Sequence, residues 1–192
     1  MKSIGIFCGS SAGEHPLYLE TARRVGHMLA QQGLAVVYGG GKVGLMGAVA
    51  DAALEAGGTV IGVMPRGLVE REIAHRGLTE LHVVEDMHER KTKMAALAEG
   101  FIALPGGAGT LEEIFEQWTW AQLGIHEKPC AFLNIKGYYD PLQAMVNNMV
   151  REGFMHPRYA EMLPFAASPE EIIAGFRDYT PPARKWVQQP AI

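Results

Sequence analysis

Short apolar runs alternate with longer helical segments along most of this sequence, and this alternation constrains the fold more than any other feature. The predicted strands are residues 4–8, 34–38, 60–64, 81–84, 101–104 and 130–134, with a weaker one at 163–166. The predicted helices are residues 16–32, 47–56, 86–99, 110–123, 140–152 and 168–176. Such βαβ units build a mainly parallel sheet with helices on both faces. We therefore predict an α/β fold, a single Rossmann-like, doubly wound domain over 1–179, with a Pro-rich tail over 180–192.

Three of the predicted strands run directly into loops of small residues. These loops are Cys8-Gly9-Ser10-Ser11, Tyr38-Gly39-Gly40-Gly41 and Leu104-Pro105-Gly106-Gly107. In doubly wound folds ligands bind at the carboxyl ends of the strands, and glycine lets a backbone approach a ligand closely. Any one of these loops could be only a tight β–α turn. Together, on one rim of the sheet, they favour a site for a phosphorylated ligand.

The most informative segment is the turn that follows the strand at 101–104 and begins a helix. Free N–H groups at a helix N-terminus, together with the helix dipole, favour an anion there. No Lys-Ser or Lys-Thr pair follows the glycines, which argues against a nucleoside-triphosphatase loop. We predict a phosphate site formed by Gly106, Gly107, Ala108, Gly109 and Thr110.

Glu113, at the end of this segment, has two interpretations. The spacing Thr110-x-x-Glu113 fits a capping box, in which the carboxylate returns to the start of the helix. At about 100° per residue, however, Glu113 lies opposite the apolar stripe of its helix, on the same face as Gln117 and Trp120. A tryptophan on such a face is unusual. We therefore expect a ligand or a second subunit to cover this face.

Two cations stand near the start of the preceding helix, in Met87-His88-Glu89-Arg90-Lys91. Both flank the apolar side of that helix. They either extend along its surface into water or point into a polar cleft, where they would supply the positive charge that a phosphate or a departing base requires. The pair Arg71-Glu72 has the character of an exposed loop.

Composition excludes several classes of function. The formal net charge of −4 provides no basic field for nucleic acid or an anionic membrane. No apolar run reaches the roughly 18 residues of a transmembrane helix, and no leader precedes the first predicted strand, so we expect a cytoplasmic protein. The seven histidines lack the spacing of helical metal ligands, and we predict no metal. Cys8 and Cys130 are expected to be buried, reduced thiols.

Two motifs in combination resemble the signature of the LONELY GUY family, the cytokinin riboside 5′-monophosphate phosphoribohydrolases long mislabelled as lysine decarboxylases. They are Met87-x-x-Arg90-Lys91 and Pro105-Gly106-Gly107-x-Gly109-Thr110-x-x-Glu113. The resemblance extends from the first strand to Phe154. It includes Tyr38-Gly39-Gly40-Gly41, Gly44-Leu45-Met46-Gly47, Trp120-Ala121-Gln122-Leu123-Gly124 and Asn134-x-x-Gly137-Tyr138-Tyr139.

The resemblance implies roles for individual residues. Arg90 and Glu113 would be the catalytic pair, and Glu72, Lys91 and Thr119 would contact the substrate, a nucleoside 5′-monophosphate. The turn over 107–110 would hold its 5′-phosphate. Members of the family are usually dimers with sites near the interface, so we expect a homodimer. Hydrolysis needs no organic cofactor, and no motif indicates a lysine that carries pyridoxal phosphate.

The implied reaction suits these residue types. Breaking the bond between ribose and an adenine base builds positive charge on the sugar and negative charge on the base. The carboxylate of Glu113 could stabilise the sugar or orient the attacking water. A guanidinium group does not easily give up a proton, so Arg90 would act by its charge, and the general acid stays unassigned. The alternative is a non-catalytic nucleotide sensor or carrier on the same fold, in which both residues are structural.

Overall fold

The computed structural model describes residues 1–70 and 74–182. The strands are β1 (Ser3–Phe7), β2 (Ala35–Tyr38), β3 (Val60–Pro65), β4 (Glu80–Val84), β5 (Phe101–Ala103), β6 (Cys130–Leu133) and β7 (Phe165–Ala166). The helices are α1 (Pro16–Gln31), α2 (Gly44–Glu55), α3 (Arg66–Val69), α4 (Met87–Leu97), α5 (Ala108–Leu123), α6 (Asp140–Arg151), α7 (Pro157–Glu161) and α8 (Pro169–Arg177). None of these helices has the length and apolarity required to cross a lipid bilayer.

Every predicted strand and helix is present, with ends that differ by at most a few residues. Three short elements have no counterpart among the predicted ones: α3, α7 and the 3-10 helix Ile135–Gly137. These elements are too short to show a periodic apolar pattern, and α3 buries none of its side chains. The predicted tail falls mainly on 183–192, which lie outside the described residues.

All neighbouring strands pair in parallel, in the order β4-β3-β2-β1-β5-β6-β7. The chain builds outward from β1 to β4 and then crosses back to place β5 on the other side of β1. The prediction of a doubly wound α/β fold is confirmed. Because the strand order reverses between β1 and β5, the loops after these two strands diverge and leave a crevice at the carboxyl edge of the sheet.

The core lies in two layers, one on each face of the sheet. Alternate residues of a strand point to opposite faces, so Ile4 and Ile6 belong to the layer under α1, α2 and α8, whereas Phe7 belongs to the layer under α4 and α5. Cys8 and Cys130 are both buried, one in each layer, and neither forms a disulfide. The expectation of buried, unpaired thiols is confirmed, and burial raises the pKa of both.

Helices α1 and α2 pack with their backbones in close approach. A Cβ on Gly26 of α1 would collide with the carbonyl oxygen of Val49 in α2. Glycine is a poor helix former, so its presence inside α1 is explained by this contact. The close packing holds α2 in place, and with it the loop between β2 and α2 that reaches the carboxyl edge of the sheet.

We expect Gly26→Ala to lower the free energy of unfolding by about 1–3 kcal/mol, because the added methyl group forces the two helices apart. Helix propensity alone predicts the opposite sign, a gain of up to about 1 kcal/mol. The matched control is Gly175→Ala in α8, where a Cβ would meet no atom within 4 Å. Urea denaturation measures both variants. Equal stabilities for Gly26→Ala and the parent would contradict this account of the packing.

Candidate active site

The loops after β1, β2 and β5 meet at the carboxyl edge of the sheet, as predicted. The N–H of Gly9 donates to the carbonyl oxygen of Pro105 at 3.0 Å, and the N–H of Leu45 donates to that of Gly9, also at 3.0 Å. A Cβ on Gly44 would collide with the backbone of Ser10. Backbone hydrogen bonds and close glycine contacts therefore fix the three loops relative to one another without any long side chain between them.

A cavity of about 360 Å³ opens at this point of convergence. It lies at the crevice between β1 and β5. Its walls are residues 9–13 after β1, residues 105–107 after β5, and the side chains of Tyr18, Leu45 and Tyr138. None of these lining residues carries a charged side chain. A bound anion in this cavity would therefore be held by backbone N–H groups and hydroxyls.

Helix α5 begins directly at this cavity. Its N-cap is Gly107 and its first residue is Ala108, so Thr110 lies within the first turn. The capping-box interpretation of Glu113 is therefore wrong, because it requires Thr110 itself to be the cap. The first N–H groups of a helix have no acceptor inside it, and they attract anions. Thr110 is only 4% exposed, and its hydroxyl lies against Gly106, where a Cβ would collide with it.

Arg90 and Glu113 form an ion pair between α4 and α5. Arg90 Nη1 lies 3.1 Å from Glu113 Oε1, and the two side chains are 12% and 11% exposed. Arg90 Nε also donates to the carbonyl oxygen of Val63 at 3.1 Å. A Cβ on Gly39 would overlap the guanidinium group. The Gly-rich loop after β2 therefore makes room for Arg90, and the hypothesis that Arg90 extends along the surface into water is wrong.

The carboxyl group of Glu113 has a pKa above its ordinary value. Burial is the largest cause, since it disfavours the charged form. The guanidinium of Arg90 lowers the pKa and partly offsets this effect, and the nearby carboxylate of Glu112 raises it further. The raised pKa of a buried acid beside a fixed cation is typical of functional sites.

Lys91 makes a second contact between the same two helices. Its Nζ lies 2.5 Å from Glu112 Oε1 and 3.0 Å from Glu116 Oε1, and its side chain is 9% exposed. The hydrogen bond that Lys91 donates to Glu112 is the main reason why the pKa of Lys91 is raised. Both cations of the predicted pair thus point toward α5. Together with Glu113, the contact set contains two cations and three carboxylates.

The outer face of α5 is partly covered within the chain. Gln117 is 1% exposed, and its side-chain oxygen lies 3.3 Å from Nε2 of His126. Trp120 is half-buried, with its ring centroid 6.4 Å from that of His126. The segment after α5 therefore covers part of this face from within the same chain, and its cover by a ligand or a second subunit stays a prediction. Burial lowers the pKa of His126 to about 4.

The remaining predicted site residues lie less centrally. Thr119 is exposed, and its hydroxyl donates to the carbonyl oxygen of Phe115 at 2.7 Å. Glu72 belongs to residues 71–73, which lie outside the described part of the chain. Across the residues that are described, no three His, Cys, Asp or Glu side chains come together as metal ligands would.

Tyr138 and Tyr139 belong to a motif that resembles the family, but no role was predicted for either of them. In the structure their hydroxyls donate to the carbonyl oxygens of Gly106 and Leu104, at 2.7 and 2.6 Å. The contacts join the loop after β6 to the turn after β5. Proximity of these two loops follows from the strand order, which no local sequence pattern reveals.

Known proteins resemble this chain in sequence. A family model described as "Possible lysine decarboxylase" matches residues 46–176. The cytokinin riboside 5′-monophosphate phosphoribohydrolase of Rhodococcoides fascians is 48% identical over 177 residues, which cover 92% of this chain and 89% of the relative. The Arabidopsis thaliana enzyme of that name designated LOG7 is 46% identical over 180 residues, covering 94% and 83%.

The chain belongs to the LONELY GUY family. Both family motifs are present in full, the first with Arg90 and the second with Glu113.

Solved structures of much lower sequence identity share the fold of this chain. The molybdenum cofactor binding protein of Rippkaea orientalis matches with a TM-score of 0.70 at 22% identity, covering 92% of this chain and 96% of that one. A Moco carrier protein from Chlamydomonas reinhardtii matches with a TM-score of 0.67 at 21% identity, covering 92% and 96%. At these identities the likeness concerns the fold.

We expect Arg90→Gln to raise the pKa of Glu113 further, because the guanidinium lowers it in the parent protein. Carboxyl ¹³C NMR titration of selectively labelled protein measures this directly. The control is Arg24→Gln, since Arg24 pairs with Glu170 on the exposed surface and is not among the causes of the Glu113 shift. An unchanged or lowered pKa of Glu113 in Arg90→Gln would contradict the coupling.

Proposed function

We propose that this protein hydrolyses the N-glycosidic bond of adenosine 5′-monophosphate or its N6-modified derivatives, releasing the free base and ribose 5-phosphate. One observation carries the proposal: a buried ion pair joins Arg90 of α4 to Glu113 of α5, and α5 is the helix whose N-terminal turn faces the cavity. Family membership supports it, since relatives that are nearly half identical over most of their length are named cytokinin riboside 5′-monophosphate phosphoribohydrolases.

In this proposal the turn over residues 106–110 anchors the substrate by its 5′-phosphate. The first N–H groups of α5 and the hydroxyl of Thr110 provide hydrogen-bond donors, and the helix dipole adds favourable charge. Lys91, Glu72 and Thr119 would contact the remainder of the nucleotide. The phosphate, remote from the bond that breaks, would thus fix the position of the sugar.

The proposed chemistry depends on Glu113 in its ionised form. As the bond to the base breaks, positive charge develops on the ribose ring, and a carboxylate stabilises it most strongly where water is excluded. Glu113 is buried enough for this, with its side chain 11% exposed. The same carboxylate could orient the water that attacks the sugar. One carboxylate then serves where many glycosidases employ two.

Arg90 would contribute by charge. A guanidinium stays protonated throughout the physiological range, so Arg90 stabilises negative charge on the departing base or on the phosphate. Its second role is to favour the ionised form of Glu113, because the guanidinium lowers a pKa that burial raises. The hydrogen bond to the carbonyl oxygen of Val63 and the space beside Gly39 hold the guanidinium in place for both roles.

The direct test is incubation of the pure protein with AMP and with isopentenyladenosine monophosphate, followed by chromatography of the free bases. We expect release of adenine or isopentenyladenine, and a loss of at least about 100-fold in Glu113→Gln, the range found when an acid–base group is removed. The matched control is Glu55→Gln, which changes an exposed carboxylate at the end of α2. Tight nucleotide binding without release of base would favour a sensor or carrier instead.

The pH dependence of kcat should reflect the raised pKa of Glu113. Because the active form is the carboxylate, kcat should fall as the pH is lowered through a pKa above the ordinary glutamate value of about 4.3. Measuring kcat rather than kcat/KM reports on the bound complex and limits interference from the titration of free substrate phosphate. Circular dichroism at each pH establishes that the protein stays folded. A kcat that rises toward acid would contradict the role of the carboxylate.

We also propose that the active form is a cytoplasmic homodimer. Exposed apolar side chains near the site support a second copy, since Met87 at the start of α4 and Leu81 and Val83 of the edge strand β4 are 44%, 37% and 43% exposed. Sedimentation analysis tests this. Val83→Glu should shift the protein toward monomer, whereas a monomeric parent would contradict the proposal. Trp120 is a poorer choice for this test, because it packs within its own chain.

A further inference from the structure

Three consecutive carbonyl oxygens of the turn after β5 each accept a hydrogen bond. The hydroxyl of Tyr139 donates to Leu104 at 2.6 Å. The N–H of Gly9 donates to Pro105 at 3.0 Å. The hydroxyl of Tyr138 donates to Gly106 at 2.7 Å. The turn is thus held at each of the three carbonyl groups that precede the N-cap of α5.

These hydrogen bonds matter for an anion site because a carbonyl oxygen carries partial negative charge. A free oxygen facing a phosphate repels it, and a donor on that oxygen reduces the repulsion. The carbonyl and N–H of a trans peptide point in opposite directions. Fixing the carbonyl of Gly106 therefore also fixes the direction of the N–H of Gly107, the N-cap of α5.

Hydrogen bonds within the loop after β6 fix the backbone that carries the two tyrosines. The side chain of Asn134 accepts from the N–H of Tyr139 and donates to Asp140 Oδ1, both at 2.7 Å. Between these contacts, two consecutive residues adopt the left-handed backbone conformation, Lys136 with φ 55° and Gly137 with φ 70°. Left-handed backbone is costly for lysine. A conformation held at such a cost indicates that the placement of Tyr138 is strongly determined by its surroundings.

The two tyrosines differ in exposure. Tyr139 is 2% exposed and belongs to the core. Tyr138 is 42% exposed, lines the cavity of about 360 Å³, and meets the ring of Tyr18 edge-on with a centroid separation of 5.9 Å. Tyr138 therefore touches both the turn and the space in which a ligand would lie.

We propose that Tyr138 is a positioning residue for the 5′-phosphate, which it serves by engaging the carbonyl oxygen of Gly106 and closing one wall of the phosphate cavity. This inference rests on the proposed function. Arg90 and Glu113 do not line that cavity, so Tyr138 governs how tightly the phosphate end of the substrate is held and leaves the bond-breaking step unaffected.

The test is Tyr138→Phe, which removes the hydroxyl and keeps the ring. Losing one hydrogen bond of ordinary strength corresponds to about a 3- to 10-fold change in affinity. We therefore expect KM for AMP and the inhibition constant of ribose 5-phosphate to rise by about that factor, with kcat within about twofold of the parent. The inhibition constant of adenine, which has no phosphate, should not change. The control is Tyr179→Phe. The hydroxyl of Tyr179 has no hydrogen-bond partner in the described residues. Tyr179 lines a separate pocket with Pro129 and Cys130, at the amino end of β6.

The outcomes separate this inference from the function on which it rests. A parent protein that neither binds nor cleaves AMP would overturn both. If the parent cleaves AMP and Tyr138→Phe has the same KM and the same ribose 5-phosphate inhibition, the positioning role alone is overturned. A fall in kcat with unchanged KM, or an equal loss of ribose 5-phosphate and adenine binding, would indicate a purely structural residue and would also overturn it.

Discussion

A carboxylate held out of water destabilises a fold unless a cation meets it, and in this chain Arg90 meets Glu113 at the carboxyl edge of the sheet. Removing one partner of a buried pair costs about 3–5 kcal/mol, so the surroundings of both groups must be tightly determined. The carbonyl oxygen of Val63 accepts a hydrogen bond from Arg90, and Gly39 leaves space for the guanidinium of Arg90. Helix α5 carries Glu113 at a fixed distance from the turn at the N-cap of that helix. This one contact joins the end of β3, the loop after β2 and helices α4 and α5 at that edge.

The charges of the site are separated in space. The cations and carboxylates of the contact between α4 and α5 do not line the cavity between β1 and β5, whose walls are mainly glycine, small residues and tyrosine. A phosphate in that cavity would be held by backbone donors, at a distance from the carboxylates that would repel it. The sugar would then extend toward Glu113, where positive charge can be stabilised. Such a separation would allow a protein of net charge −4 to bind an anionic substrate.

Sequence patterns predicted the parts of the molecule that depend on local periodicity. The strands and longer helices could be predicted because each is an apolar run of regular spacing. The turn that begins α5 could be predicted because it combines a strand end, glycines and a helix start. The contact of Gly39 with Arg90 could not be predicted, because it depends on how β2, β3 and α4 are aligned. The cover over Gln117 was missed for a similar reason, since His126 returns across α5 only after a left-handed turn at Gly124. Motif resemblance singled out Arg90 and Glu113 as a pair, and the structure gave the 3.1 Å contact between them.

The most direct test of the central claim is a crystal structure of Glu113→Gln bound to AMP, in which slow turnover would preserve the substrate. The account predicts that the phosphate oxygens accept hydrogen bonds from backbone N–H groups of residues 107–110 and that the glycosidic carbon faces the side chains at 113 and 90. A phosphate bound away from this turn, or a glycosidic carbon remote from both side chains in the fully occupied complex, would contradict it.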